Sequence, residues 1–202
     1  MMKASGFYAE VDDMTLARAR RGDAAAIELL YATFARPVYT LGCRLSGGAD
    51  AGEDILQETF LELLRSLPAY RGEGAFGCWL RRIAVSKVLM RRRRARVRSV
   101  EEAQEVADAP GAWSSATDRR FQLRFDLERA LARLPEAARV VVWLHDVEGM
   151  THAEIADAFG KTESFSKSQL ARAHDRLRQW LVDERSIEHA SEDRATAGVA
   201  RR

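Results

Sequence analysis

The sequence predicts an all-α chain built as two small helical domains joined by a flexible linker, and three observations predict it. Only four prolines occur in 202 residues, runs of β-branched residues are sparse, and the helix formers Ala, Leu, Arg and Glu abound. Apolar residues recur at three- and four-residue spacing along the segments on either side of residue 100. Between the two halves, Ser99 to Asp118 holds five acidic residues, no basic one and the breaker Pro110-Gly111. Such a stretch reads as a linker without fixed structure. With 47% hydrophobic and 31% charged residues, the chain can bury a core in each half.

Taken in order, Met14 to Phe34 reads as a first helix with Leu16, Ile27, Leu30, Tyr31 and Phe34 on its apolar face. Gly22-Asp23 is a candidate break within it. Pro37 to Leu45 reads as a second, short helix, stopped by Ser46-Gly47-Gly48. Glu53 to Leu67 is the clearest amphipathic helix. Ile55, Leu56, Thr59, Phe60, Leu63, Leu64 and Leu67 form its apolar side, and Asp54, Gln57, Glu58 and Glu62 the other. Acidic residues in its first turns suit the positive end of the helix dipole. Pro68 ends it, and Tyr70 to Gly74 reads as a flexible loop. Ala75 to Arg96 is a long helix, apolar at Phe76, Trp79, Leu80, Ile83 and Val88, that grows basic toward its end. Beyond the linker, Arg119 to Leu134 is helical again, and Pro135 starts a strongly buried helix over Glu136 to Val147. Asp183 to Arg202 is polar and Ala-rich and reads as a frayed tail.

Bulk charge excludes little. The net charge is +2 and the pI near 8.7, so the patterning of charge, not its sum, carries the information. No apolar run approaches the roughly 20 residues of a membrane span. The first residues, MMKASGFYAEVDD, lack the apolar core of a signal peptide, which predicts a cytoplasmic protein without membrane insertion. Cys43 and Cys78 stand far apart with no CxxC or Cys/His cluster, and read as reduced thiols in or near a core.

Two basic helical surfaces stand out. Lys87 to Arg98 carries seven basic residues and no acidic one. Within it, Arg91, Arg92, Arg93 and Arg94 cover every side of a helix, which suits phosphate neutralisation with strong salt dependence. Just upstream, Tyr70, Phe76 and Trp79 place aromatics beside that charge, where they could hold unstacked bases or simply fill the core. The second surface follows a capping box, Thr151-His152-Ala153-Glu154. A short helix with Ile155, Ala156 and Phe159 facing inward runs to Gly160, the residue past its end. Lys161-Thr162 makes the turn, and a second helix runs from about Glu163 to Leu181. Its apolar stripe is Leu170, Ala173, Leu177, Trp180 and Leu181; Ser164, Ser168, Ala171, Arg172 and Asp175 face the other way, with Lys167 on the flank. Small, hydroxylic and basic residues on that face suit entry into a major groove.

The ordered set of these stretches resembles one family. RARRGDAAAIELLY, AGEDILQETFLELLRSL, YRGEGAFGCWLRRIAVSK followed by RRRR, LPEAARVVVWLHDVEGMTHAEIADAFG and SKSQLARAHDRLRQWL are similar, in order and spacing, to the extracytoplasmic-function (ECF) sigma factors of bacterial RNA polymerase. The likeness covers about residues 14 to 182. It implies a region 2 domain over 10–97, a linker over 98–119, a region 4 helix-turn-helix domain over 120–183 and a disordered tail over 184–202. It implies that the chain binds core RNA polymerase and directs initiation at promoters with minus-ten and minus-thirty-five elements. Glu53, Asp54, Gln57 and Glu58 then dock on the clamp helices of the largest polymerase subunit, whose basic character their charge complements, while the flap of the second subunit is a further contact. Tyr70, Arg71, Phe76, Trp79, Ser86, Lys87, Met90 and the four arginines fall on the part that melts the minus-ten element. Ser164, Phe165, Lys167, Ser168, Ala171 and Arg172 fall on the minus-thirty-five helix. The likeness further implies an anti-sigma protein as a possible partner.

The chain departs from the family where Ser86 replaces a frequent Asn, Met90 an Asp or Asn, and Gln169 a common Arg. The turn before the second helix reads Thr162-Glu163-Ser164-Phe165-Ser166 in place of a P-x-G-T-V pattern. Base preference at these positions therefore does not carry over. An ordinary helix-turn-helix regulator would explain the second half but not the acidic helix and arginine run of the first. A helical adaptor would leave the polarised charge unexplained. An enzyme is not indicated: no cofactor-binding loop or nucleophile constellation occurs. His145, Asp146, Glu148, His152 and Glu154 match no HExxH-like metal spacing.

Overall fold

The computed structural model describes residues 6–72, 74–101 and 129–199, with side chains described except over 98–101 and 182–199. It is helical, with no strand among the described residues. The chain divides into two compact units, broadly an N-terminal and a C-terminal one. The expected linker lies almost wholly outside the described residues, as does most of the helix expected over 119–134.

The first unit begins with a 3-10 turn, Gly6–Tyr8, followed by α1 (Asp13–Arg20), α2 (Ala24–Ser46), α3 (Ala49–Ser66), a second 3-10 turn (Leu67–Ala69) and α4 (Phe76–Glu101). Local chemistry sets the break between α1 and α2. Gly22 takes a left-handed φ of 82°, and Asp23 caps α2 by accepting from the Ala26 amide at 3.1 Å. Asp12 does the same for α1, accepting from the Thr15 amide at 2.8 Å. Hydrogen bonds hold both carboxylates below the usual Asp range, Asp12 through Thr15 first and Asp23 through Arg18 first.

The break expected at Pro37 does not occur: α2 runs through it. Leu30, Phe34, Val38, Leu41 and Leu45 form one continuous buried stripe, each at most 1% exposed. Burying that stripe outweighs the roughly 3 kcal/mol that an interior proline costs. Gly47, at φ 89°, then ends the helix. α3 starts four residues before the expected Glu53 and crosses α2 at two glycines. A Cβ on Gly42 would lie 3.0 Å from the Gly52 Cα, and one on Gly52 only 2.3 Å from the Cys43 sulfur. Ile55, Thr59, Phe60 and Leu63 face the core, but Leu64, expected among them, is 44% exposed. It lies at the rim of the helix contact, where the core ends.

α4 completes the bundle with Phe76, Leu80, Ala84, Val85 and Val88 inside. The first 3-10 turn is seated on it. Phe7 is fully buried, and a Cβ on Gly77 would fall 1.8 Å from the Phe7 carbonyl oxygen, so only glycine fits there. Cys43 and Cys78 are free and half-buried.

In the second unit, residues 129–132 are helical and precede α5 (Glu136–Val142), α6 (His152–Phe159) and α7 (Glu163–Val199). Pro135 is the N-cap of α5, one residue outside the helix it was expected to open. The continuous helix expected to Val147 instead widens after Val142 into a π-helical turn, Trp143–Val147. The Glu148 amide reaches back to the Trp143 carbonyl at 3.1 Å, and the Met150 amide to Leu144 at 2.9 Å. The wider turn brings both Leu144 and Met150 inside, at 0% and 2% exposure. The tail expected to be disordered is helical as far as Val199. Its sequence supplies the reason: it is rich in Ala, Glu and Arg, and no proline or glycine interrupts it before Gly198.

Candidate nucleic-acid interface

The helix-turn-helix is built by local capping. The Thr151 amide donates to Glu154 Oε2 at 2.9 Å, and the Glu154 amide donates to Thr151 Oγ1 at 3.2 Å, a reciprocal capping box at the start of α6. Gly160, at φ 61°, ends α6, with the Lys161 amide donating to the Ala156 carbonyl at 2.9 Å. The fully buried Ser166 joins α7 to α6 through a 2.9 Å hydrogen bond between its hydroxyl and His152 Nδ1. Leu170, Ala173 and Leu177 turn inward, each at most 8% exposed.

That packing leaves Ser164, Lys167, Ser168, Ala171 and Arg172 exposed along one side of α7. Lys167 pairs with Glu163 at 3.0 Å, a surface contact that a phosphate can displace at little cost. Arg172 folds back on Ser168, donating to its carbonyl at 3.1 Å and its hydroxyl at 3.2 Å. Phe165, in the first turn of the same helix, is half-buried.

The basic end of α4 is less uniform than its sequence. Lys87 pairs with Glu62 at 2.9 Å, and Arg91 with Asp54 at 2.7 Å, both partners lying on α3. Arg92 donates to the Leu45 carbonyl near the end of α2. These three cations fasten α4 to its neighbours. Arg93 and Arg94 are exposed, and with the exposed Met90 and Val97 they line a shallow groove on the outer side of α4. Ser86 is also exposed.

The aromatic platform is corrected more strongly. Tyr70 and Phe76 are 7% and 5% exposed, and Trp79 is half-buried. The three rings pack on one another at centroid separations of 4.8 to 5.6 Å, and Phe76 also meets Phe34 at 5.5 Å. Their apolar area is worth more inside, where α1, α2 and α4 converge, than on the surface. The Tyr70 hydroxyl donates to the Gly74 carbonyl at 2.8 Å, and burial pushes its pKa above the ordinary phenol value. The turn therefore exposes Arg71, Gly72 and Gly74 rather than aromatic faces.

On α3, Glu53, Asp54 and Gln57 are exposed and Glu58 is half-buried. Glu53 and Gln57 border a shallow apolar depression lined by Tyr31, Leu56, Phe60, Leu61 and Leu64. Sequence reasoning missed Tyr31, Leu61 and Leu64 as surface residues. The signal was present in Leu61, which falls one position off the apolar stripe. His145, His152 and His174 form a structural cluster: Asp146 bonds His145 at 2.8 Å and His174 at 2.6 Å, and His145 stacks on His152 at 4.7 Å. No group of three or more His, Cys, Asp or Glu among the described residues is placed to hold a metal.

Two helical units, each with an exposed basic helix and one of them a helix-turn-helix, have the features of a DNA-binding protein. Comparison with known proteins agrees. Residues 30–98 match the family model for sigma-70 region 2, and residues 124–177 that for sigma-70 region 4. The ECF RNA polymerase sigma factor SigE of Mycolicibacterium smegmatis is 35% identical over 87% of this chain and 68% of its own length. SigM of Mycobacterium tuberculosis is 31% identical over 87% of each chain. In fold, the chain is similar to the sigma factor RpoE of Bartonella quintana, solved with the anti-sigma factor NepR, at TM-score 0.55 and 22% identity over 76% of this chain and 95% of that one. The chain belongs to the ECF RNA polymerase sigma factors. Its function is promoter-specific transcription initiation. No helix among the described residues is long and apolar enough to cross a membrane.

Proposed function

We propose a division of labour within this sigma factor. α3 docks on the clamp helices of the largest polymerase subunit through Glu53, Asp54, Gln57 and Glu58, and the bordering apolar depression receives the partner's aliphatic side chains. Arg93 and Arg94 contact the backbone of the minus-ten region, and the turn after Tyr70, with Arg71 at its tip, meets the displaced non-template strand. Ser164, Lys167, Ser168, Ala171 and Arg172 enter the major groove of the minus-thirty-five element. No chemistry occurs on this chain; catalysis belongs to the polymerase, and the protein acts in the cytoplasm. Since the RpoE relative was solved bound to an anti-sigma factor, the same class of protein is a candidate regulator here.

The observation that carries this reading is that each unit closes its own core yet leaves one basic helical face uncovered. Two modest DNA contacts on one chain gain strength from effective concentration once the polymerase fixes their spacing. The test is transcription in vitro with bacterial core polymerase and genomic fragments, followed by sequencing of the transcript 5′ ends. Discrete starts that share two upstream elements at fixed spacing, and that vanish without the protein, are expected. Failure to bind core polymerase would overturn the assignment in favour of an ordinary helix-turn-helix regulator.

A further inference from the structure

Two glycines, at 72 and 74, carry the backbone of the turn after Tyr70. Gly72 and Gly74 take left-handed φ values of 79° and 82°, conformations that leave the backbone many alternatives. Its first residue is held from elsewhere. Arg20, in the last turn of α1 and 50 positions away in sequence, donates from Nη2 to the Tyr70 carbonyl at 2.5 Å. The same guanidinium lies 5.6 Å from the centroid of the Tyr70 ring. Tyr70 passes the constraint on, because its hydroxyl holds the Gly74 carbonyl at 2.8 Å while its ring packs on Phe76 and Trp79. One cation thus fixes the residue that closes the turn at both ends.

Arg20 is exposed, so this arrangement is not a requirement of core packing. Nearby Arg18, by contrast, is engaged with Asp23 in capping α2. We propose that Arg20 is a positioning residue for strand capture: through Tyr70 it preorganises the turn that meets the displaced non-template strand. The proposal rests on the role given to that turn above. A turn ordered before the strand arrives binds more tightly, because less conformational freedom is lost on association. Losing Arg20 removes a charge-assisted hydrogen bond and a cation–ring interaction together, so the turn must be ordered at the strand's expense.

The test uses the full chain assembled with core polymerase. The probe is a fluorescent single-stranded DNA carrying the non-template minus-ten sequence of a promoter mapped by transcript starts. Arg20→Met keeps the aliphatic stem and removes the charge; Arg20→Lys restores one donor. Arg20→Met is expected to weaken strand binding about tenfold, and Arg20→Lys to recover part of the loss. Core binding and duplex binding through the upstream element should stay unchanged, and the thermal stability of the free chain should fall only by what the lost contact contributes. Tyr70→Phe, which keeps the ring and loses the hydroxyl, should weaken strand binding too, and the double variant should lose less than the two separate losses combined.

Undiminished strand binding by Arg20→Met would overturn the proposal. So would a parallel loss of core binding and thermal stability, which would make Arg20 a folding residue. A wild-type holoenzyme that opens the promoter without binding the isolated strand would overturn the role of the turn, and the proposal with it.

Discussion

Arg91 and Arg92 sit at the centre of the most basic run in the chain, yet their partners are an aspartate on α3 and a backbone carbonyl on α2. Arg93 and Arg94, the next two residues, face outward. Adjacent identical residues thus have different work, because successive helical positions lie about 100° apart. Replacing Arg93 and Arg94 together with alanine should weaken holoenzyme binding to all promoters alike and lower the salt slope by about 2, one for each phosphate left unneutralised. Arg91→Ala should leave the slope nearly unchanged and remove only a surface ion pair worth up to about 1 kcal/mol. Affinity measured at several salt concentrations checks both; an Arg91 effect on the slope as large as that of Arg93 would contradict the division.

At the scale of the element, the helix-turn-helix owes its geometry to caps more than to area. α6 has only eight residues, too few to stand alone, and buries just Ile155 and Ala156 fully. Its start rests on the reciprocal Thr151–Glu154 bonds and its end on Gly160. Thr151→Ala should destabilise the second unit by about 1 kcal/mol, as removal of an N-cap does. Binding to promoters that depend on the upstream element should fall more than binding to those that do not. Urea unfolding together with binding to the two promoter types checks this, and unchanged stability would show that the cap contributes nothing. α6 and its caps could be read from sequence because every partner lies within a few residues. α2 could not be read through Pro37, whose tolerance depends on the stripe that α3 and α4 cover.

For the whole molecule, one source of acid sensitivity lies in the first unit. Asp12, Asp23 and Glu62, all in that unit, have carboxylates held below their ordinary pKa. For Glu62 the first cause is its hydrogen bond from Lys87, which ties α3 to α4. Since the folded pKa is depressed, the unfolded chain takes up the proton first as pH falls. The stabilisation is therefore full above the ordinary carboxylate value of 4.5 and is lost as pH drops through the lower folded value. Glu62→Gln should flatten the acid limb of the first unit's stability curve and lower its plateau near neutral pH slightly. Denaturant unfolding from pH 3 to 7 checks the sign: a steeper acid limb in the variant would refute it.

The sequence by itself determined that the chain is helical, where most helices start and stop, and which face of α7 is exposed. It also carried the ordered motifs by which the family is recognised. Helical period and capping are short-range effects, settled within one or two turns of the residue concerned. Only the tertiary structure decided that Tyr70 and Phe76 lie inside, that Lys87, Arg91 and Arg92 hold helices together, and that Arg20 reaches the turn after Tyr70. Each of those outcomes depends on a partner 25 to 50 positions away. Whether a cation meets a phosphate or a neighbouring helix depends on what folding brings beside it, and residue spacing within one helix does not contain that information.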